Sequence, residues 1–344
     1  MKHGGDLTEA MARYGGSPQM WLDLSTGVNP WPWPIPADLP GAVWQRLPSR
    51  ADEEALIAAA REAYAVPVGA EVVAAAGTQS LIQWLPQLAA AGPVAIVGPT
   101  YHEHELAWRM AGHEVIARAG LEDLPEAVRH VVVVNPNNPD GRVTSRTALA
   151  GAAARLRERG GWLVVDEAFA DIEPEISAVE LCVDLPVVVL RSFGKFYGLA
   201  GLRLGFAIAH KDIAQRVALA LGPWPCSGPA LTIGIAALRD HEWAHGTRDA
   251  LQHQTCELDA VLAAAGFRMV GGTGLFRLAQ RADANKVHAS LATQHIWCRR
   301  FEWADDLLRF GLPSHNRDLD RLAGALASTA LNLLRPEPNV LRPN

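Results

Sequence analysis

The chain has 344 residues, of which 49% are hydrophobic and 20% charged, and a formal net charge of −6. That composition belongs to a well-packed globular protein and excludes disordered and fibrous classes. The acidic balance shows no basic run that would point to nucleic acid, and no apolar run approaches the ~18 residues of a membrane span, so neither partner is expected.

The opening segment, MKHGGDLTEAMARYGG, lacks the apolar core of a signal peptide, and a cytoplasmic protein is expected. Residues 29–40, NPWPWPIPADLP, are too proline-dense for helix or central strand and should run extended. The spacing then predicts helices over 51–66 and 76–91, a short buried strand within 92–99 and a helix over 102–114. The run HVVVVNPNNP (130–139) reads as a strand ending in a turn cluster, followed by a helix over 144–158. GWLVVDEAF, LPVVVLRSF and LRLGFAIA are three more strands, and GTGLFRLA and HIWCRRF two later ones.

Runs of Val, Leu and Ile without polar alternation are expected in strands covered on both faces. The fold class is therefore α/β: a large domain with a mostly parallel sheet flanked by helices, plus a smaller α+β C-terminal domain. The expected division is an N-terminal arm with part of the small domain (1–48), the large domain (49–225) and the C-terminal small domain (226–344). Cys182, Cys226, Cys256 and Cys298 are far apart without metal-ligand spacing, so reduced thiols and no metal are expected.

In such sheets ligands collect at the carboxyl ends of strands. Five polar clusters are expected there: GTQ (77–79), PTYH (99–102), NPNNPDG (135–141), DEAF (166–169) and SFGK (192–195). Lys195 is the unusual member, a lone ammonium in RSFGKFYGLAGLRLGF. A phosphate-binding Gly-Lys loop is excluded, because Val189 and Phe196 stand where Gly and Ser/Thr are required. A desolvated lysine has its pKa lowered and becomes nucleophilic toward an aldehyde, which suits a Schiff base to pyridoxal phosphate. That cofactor needs four further parts, and each has a candidate. Asp166 is placed to keep the ring nitrogen protonated. Gly77, Thr78 and Gln79 open a helix whose N–H groups, with Ser192 and Arg203, suit a phosphate. Tyr101 can stack on the ring, and Asn138 can donate to the ring oxygen. His102 and His104 lack zinc spacing and are expected at the surface or at a helix start.

The string Ser192-x-x-Lys195-x-x-Gly198-x-x-Gly201-x-Arg203-x-Gly205 resembles the lysine signature of class I/II aminotransferases, the fold type I pyridoxal phosphate enzymes. NPNNPDG and DEAFAD are similar to two further blocks of that superfamily, and Asp166 and Lys195 stand 29 residues apart, as suits it. Within it the chain resembles the histidinol-phosphate aminotransferase branch, and most closely the threonine-phosphate decarboxylase group, through HGG (3–5), LDLSTGVNP (22–30), GPWPCS (222–227) and LLRFGLP (307–313). The resemblance implies a small phosphorylated amino-acid substrate, with His3, Asn29 and Asn138 near it, Arg309 on its carboxylate and Arg299 helping with anionic groups. It also implies a homodimer with active sites at the subunit interface. The chain departs from the family's aminotransferases at Phe169, where they carry Tyr, at Leu47, where a phosphate-contacting Tyr is common, and at Gly194, where a hydroxyl residue is frequent. Decarboxylation of threonine phosphate is the favoured reading. Transamination of histidinol phosphate or a related amino acid, and a non-catalytic regulator on the same fold, stay open at this point.

Overall fold

A computed structural model describes residues 4–333, with side chains to Thr329. It divides into two compact units: Trp31–Asp249, and a smaller one built from the described residues before Trp31 and after Asp249. Residues 31–48 and 226–249, expected outside the large domain, lie within the larger unit. Close packing accounts for this. A Cβ on Gly234, in the helix Gly228–Leu238, would lie 2.6 Å from Leu204 and 2.9 Å from Leu56, and one on Gly228 would lie 2.2 Å from the Val43 carbonyl oxygen.

Numbered along the chain, the strands are β1 (Leu22–Leu24), β2 (Ala70–Ala75), β3 (Val94–Val97), β4 (Val115–Arg118), β5 (His130–Val134), β6 (Leu163–Asp166), β7 (Val187–Ser192), β8 (Gly205–His210), β9 (Arg268–Thr273), β10 (Phe276–Gln280), β11 (Ile296–Phe301) and β12 (Ala304–Gly311). The larger unit holds a seven-stranded sheet in the order β2-β8-β7-β6-β5-β3-β4. Strands β3 to β7 pair in parallel, whereas β8 runs antiparallel to both β7 and β2. Every residue of β3, β5, β6 and β7 is buried, as their unbroken apolar runs require. Leu81, Ile82 and Leu85 of the helix Thr78–Leu88, Trp108 of Glu103–Met110, and Ile213 and Val217 of Lys211–Leu221 join sheet residues such as Val132, Val164 and Val188 in one core. Each such Leu or Ile contributes about 1.5–3 kcal/mol by leaving water.

The smaller unit has a five-stranded sheet, β1-β11-β12-β10-β9, parallel only between β1 and β11. The segment GTGLFRLA, expected as one strand, is a hairpin between β9 and β10. The Thr273 hydroxyl accepts the Leu275 N–H at 3.1 Å to hold its turn.

Candidate active site

Antiparallel β8 leaves β2 running in the direction of β7. The carboxyl ends of β2, β3, β5, β6 and β7 therefore share one edge with the start of β8. Gly77, Tyr101, Asn138, Asp166, Ser192, Lys195 and Arg203 all lie at or just beyond that edge. The topology thus gathers the candidates from segments more than a hundred residues apart.

At the β2 end, Gly77 has φ +82° and ψ +158°, a region essentially restricted to glycine. A Cβ there would sit 2.5 Å from Nη2 of Arg203, so the guanidinium closely approaches this backbone. Arg203 is itself left-handed (φ +57°), which turns its side chain back toward the helix start. Gly205 repeats the close approach, since a Cβ there would lie 2.6 Å from the Thr78 nitrogen. The Gly77 N–H is already donated to Ala75 O at 2.7 Å. Thr78 and Gln79, in the first turn of Thr78–Leu88, are the ones whose N–H groups precede the helix's own bonds. Two glycines and an arginine wrapped around a helix N-terminus fit a phosphate dianion. Ser192, 7% exposed at the end of β7, faces the same sheet edge.

The Gln79 side chain has other partners: its Nε2 donates to Glu103 Oε2 at 3.0 Å, and its Oε1 accepts from the Tyr101 hydroxyl at 3.3 Å. That triangle orients the Tyr101 ring, whose hydroxyl is pushed up to about 12 by burial and by the charge of Glu103.

Asp166 closes β6 and is 3% exposed. Its Oδ1 accepts the Ala168 N–H at 3.1 Å, and its Oδ2 meets Nε2 of His104 at 2.9 Å. His104 stands in the first turn of Glu103–Met110, one of the two expected places, but it is not a surface residue: it is 1% exposed and braces the carboxylate. His102 does stand at the helix start, 3.4 Å from Glu105. The available signal for His104 was its place three residues after Tyr101, one helical turn on. Lys195, half-buried in the short helix Phe193–Phe196, has its Nζ 5.9 Å from the centre of the Phe169 ring. Gly194 is required by packing, because a Cβ would lie 2.7 Å from the Ala200 Cα. In NPNNPDG, Asn135 and Asn137 are turn holders: Asn135 bonds Thr144, and Asn137 bonds Thr100, Pro99 and Asp140. Asn138 is half-buried at the same edge. Leu47 is 68% exposed and supplies no phenol.

In the smaller unit, Arg299 and Arg309 are direct cross-strand neighbours on β11 and β12. Arg309 is 7% exposed, and its Nη2 donates to the Ser25 carbonyl at 2.7 Å. Burial and the adjacent Arg299 push its guanidinium down to about 10, and burial lowers Arg299 as well. Two partly desolvated cations side by side form a subsite suited to an anion. Ser25 also anchors the N-terminal arm: its hydroxyl accepts the Gly5 N–H at 2.9 Å and donates to Asp23 at 2.6 Å. Asn29 is buried in the same unit. His3 lies outside the described residues.

The family model for aminotransferase class I and II matches residues 49–326, and the chain belongs to that family. It is 44% identical to a threonine-phosphate decarboxylase of Sinorhizobium sp. over 96% of this chain and 98% of the relative. It is 42% identical to the threonine-phosphate decarboxylase of Pseudomonas aeruginosa, over 95% and 97%. The fold is shared with histidinol-phosphate aminotransferase from Sinorhizobium meliloti, solved in complex with pyridoxal-5'-phosphate. That match has TM-score 0.77 at 19% identity and covers 95% of each chain. Among the described residues no group of acidic, His or Cys side chains suits a metal, and no helix is long and apolar enough to cross a membrane.

Proposed function

We propose that this chain is a pyridoxal phosphate enzyme that decarboxylates L-threonine O-3-phosphate to (R)-1-aminopropan-2-yl phosphate, a step of cobalamin biosynthesis. The observation that carries the cofactor assignment is the meeting of Lys195, the braced Asp166 and the Gly77–Arg203 cradle at one sheet edge. The choice of decarboxylation is supported by near full-length likeness to two relatives of that name. Phe169 beside Lys195, in place of the aminotransferases' Tyr, agrees with it.

The cofactor, when bound, supplies an electron sink for the pair left at the substrate's α-carbon. Lys195 supplies the amine that holds it and afterwards a proton donor for that carbon. Asp166, held by His104 and Ala168, keeps the ring nitrogen protonated. The N–H groups of Thr78 and Gln79, the Ser192 hydroxyl and Arg203 hold the phosphate. Tyr101 covers one ring face, and Asn138 donates to the ring oxygen. Arg309, with Arg299, Asn29, Asn138 and His3, grips the substrate's carboxylate and phosphate, and that grip selects the bond to be broken. A homodimer in the cytoplasm completes the reading; exposed Trp44 and Leu47 are apolar surface available to a second copy. The test is incubation of the loaded enzyme with L-threonine O-3-phosphate, measuring carbon dioxide. Release is expected. No release, together with keto-acid formation from an amino donor, refutes the decarboxylase.

A further inference from the structure

A buried charged cluster lies behind the candidate site. Side chains alternate along a strand, so Arg191 in β7 projects from the face of the sheet opposite to Ser192 and to Leu190, the partner of Asp166, and Glu167 meets it there. Arg191 is 2% exposed, Glu167 0% and Asp171 4%. Arg191 Nη1 donates to Glu167 Oε2 at 2.9 Å, and Nη2 donates to Asp171 Oδ1 at 2.6 Å. Its guanidinium lies 4.5 Å from the centre of the Tyr64 ring. Glu167 also accepts the Ser177 hydroxyl and the Ala178 N–H, each at 2.6 Å, and the Asp171 carbonyl accepts Arg248 Nε at 2.7 Å. Burial opposes the charge on Arg191, but Asp171 and Glu167 outweigh it and raise the guanidinium above its ordinary value.

Buried ions are costly, and apolar replacements often serve stability as well or better. Stability alone is therefore a weak reason for this cluster, and its location supplies another. The β6–β7 pairing ends at Asp166↔Leu190, with Glu167 N–H on the Leu190 carbonyl at 2.8 Å. Beyond that rung one chain turns through 167–171 and the other enters the short helix carrying Lys195. Arg191 bridges the two beyond the last rung, one bond to each end of the turn.

We propose that Arg191, acting through Glu167 and Asp171, is a positioning residue that sets the separation of Asp166 and Lys195. The inference rests on the cofactor roles proposed for those two groups. A misplacement of about 1 Å at such a site costs on the order of 100-fold in rate.

The test is Arg191→Met, which keeps much of the length and removes the fork. In the loaded protein without substrate, the pH midpoint of the cofactor's visible absorbance is expected to move by about half a unit or more. With substrate, kcat is expected to fall about 10–100-fold with KM changed less than about threefold, and Arg191→Lys is expected to restore part of both. A wild-type midpoint and kcat in Arg191→Met overturns the proposal, even if the thermal midpoint drops. Should that variant not fold, Glu167→Gln keeps the volume and weakens the same tie, and an unchanged midpoint there overturns it equally. The absorbance reading needs no substrate, so it survives a wrong reaction assignment. Wild-type visible absorbance in Lys195→Ala would instead defeat the cofactor reading itself.

Discussion

Adding one methyl group at Gly77 perturbs the phosphate cradle with little else to obscure the result. At φ +82° and ψ +158° an alanine is strained by about 1–3 kcal/mol. Its Cβ would also lie 2.5 Å from Arg203 Nη2 and 2.9 Å from Cζ. Arg203 is exposed, so its flexible end can swing aside and the fold can survive. What is lost is the guanidinium's place beside the helix N-terminus. A hydrogen bond to a charged group contributes about 1.5–3 kcal/mol, which corresponds to cofactor binding weakened about 10–150-fold. The assay is a fluorescence titration of cofactor-free Gly77→Ala with pyridoxal phosphate, alongside its thermal midpoint. In the double variant Gly77→Ala/Arg203→Met the two losses should be clearly less than additive, because both act through one guanidinium. Wild-type affinity in Gly77→Ala, or full additivity in the double variant, refutes the cradle.

Three other outcomes follow from the geometry. His104→Leu removes the 2.9 Å partner of Asp166 Oδ2, a loss of about 1–3 kcal/mol; steady-state kinetics should show kcat down about 5–150-fold, and an unchanged kcat would mean the histidine only fills space. Arg309→Lys gives up the forked geometry and the bond to the Ser25 carbonyl, so KM for the phosphorylated amino acid should rise about 10–100-fold with a smaller change in kcat, as initial rates against substrate concentration will show. Burial lowers both His130 and His288 to about 4, and His130 Nδ1 accepts the Trp162 N–H, which holds that ring neutral. Between about pH 6.5 and 4 the unfolded chain takes up protons that these imidazoles refuse, so stability is full above that window and falls as pH falls, by on the order of 3 kcal/mol each. Denaturant titrations at pH 7 and pH 4.5 measure it, and replacing His130 with Asn should flatten the decline.

The order of the elements, and the residues on which the proposed chemistry of the lysine block rests, were legible without coordinates. A lysine among glycines and apolar residues, 29 positions after an aspartate that ends a Val-rich strand, has few chemical uses. Unbroken buried runs such as VVVV and VVVL declare strands covered on both faces, and parallel strands place their ends on one edge. The antiparallel turn of β8 and the hairpin within GTGLFRLA were not legible, because pairing partners are set by long-range packing and not by local pattern.

What the amino-acid sequence determined by itself was therefore the class of fold and the order of its elements, with the kinds of group that the proposed chemistry needs. Only the tertiary structure decided which partner each group takes. His104 braces Asp166 across 62 positions, Gln79 turns its amide to Glu103 and Tyr101, Arg309 reaches the Ser25 carbonyl across 284, and Arg191 ties the two strand ends from behind. The physical reason is that periodicity and propensity act over a few residues. A buried polar group, by contrast, takes whatever partner the closed chain brings within about 3 Å, because leaving it unbonded costs more than any local preference supplies.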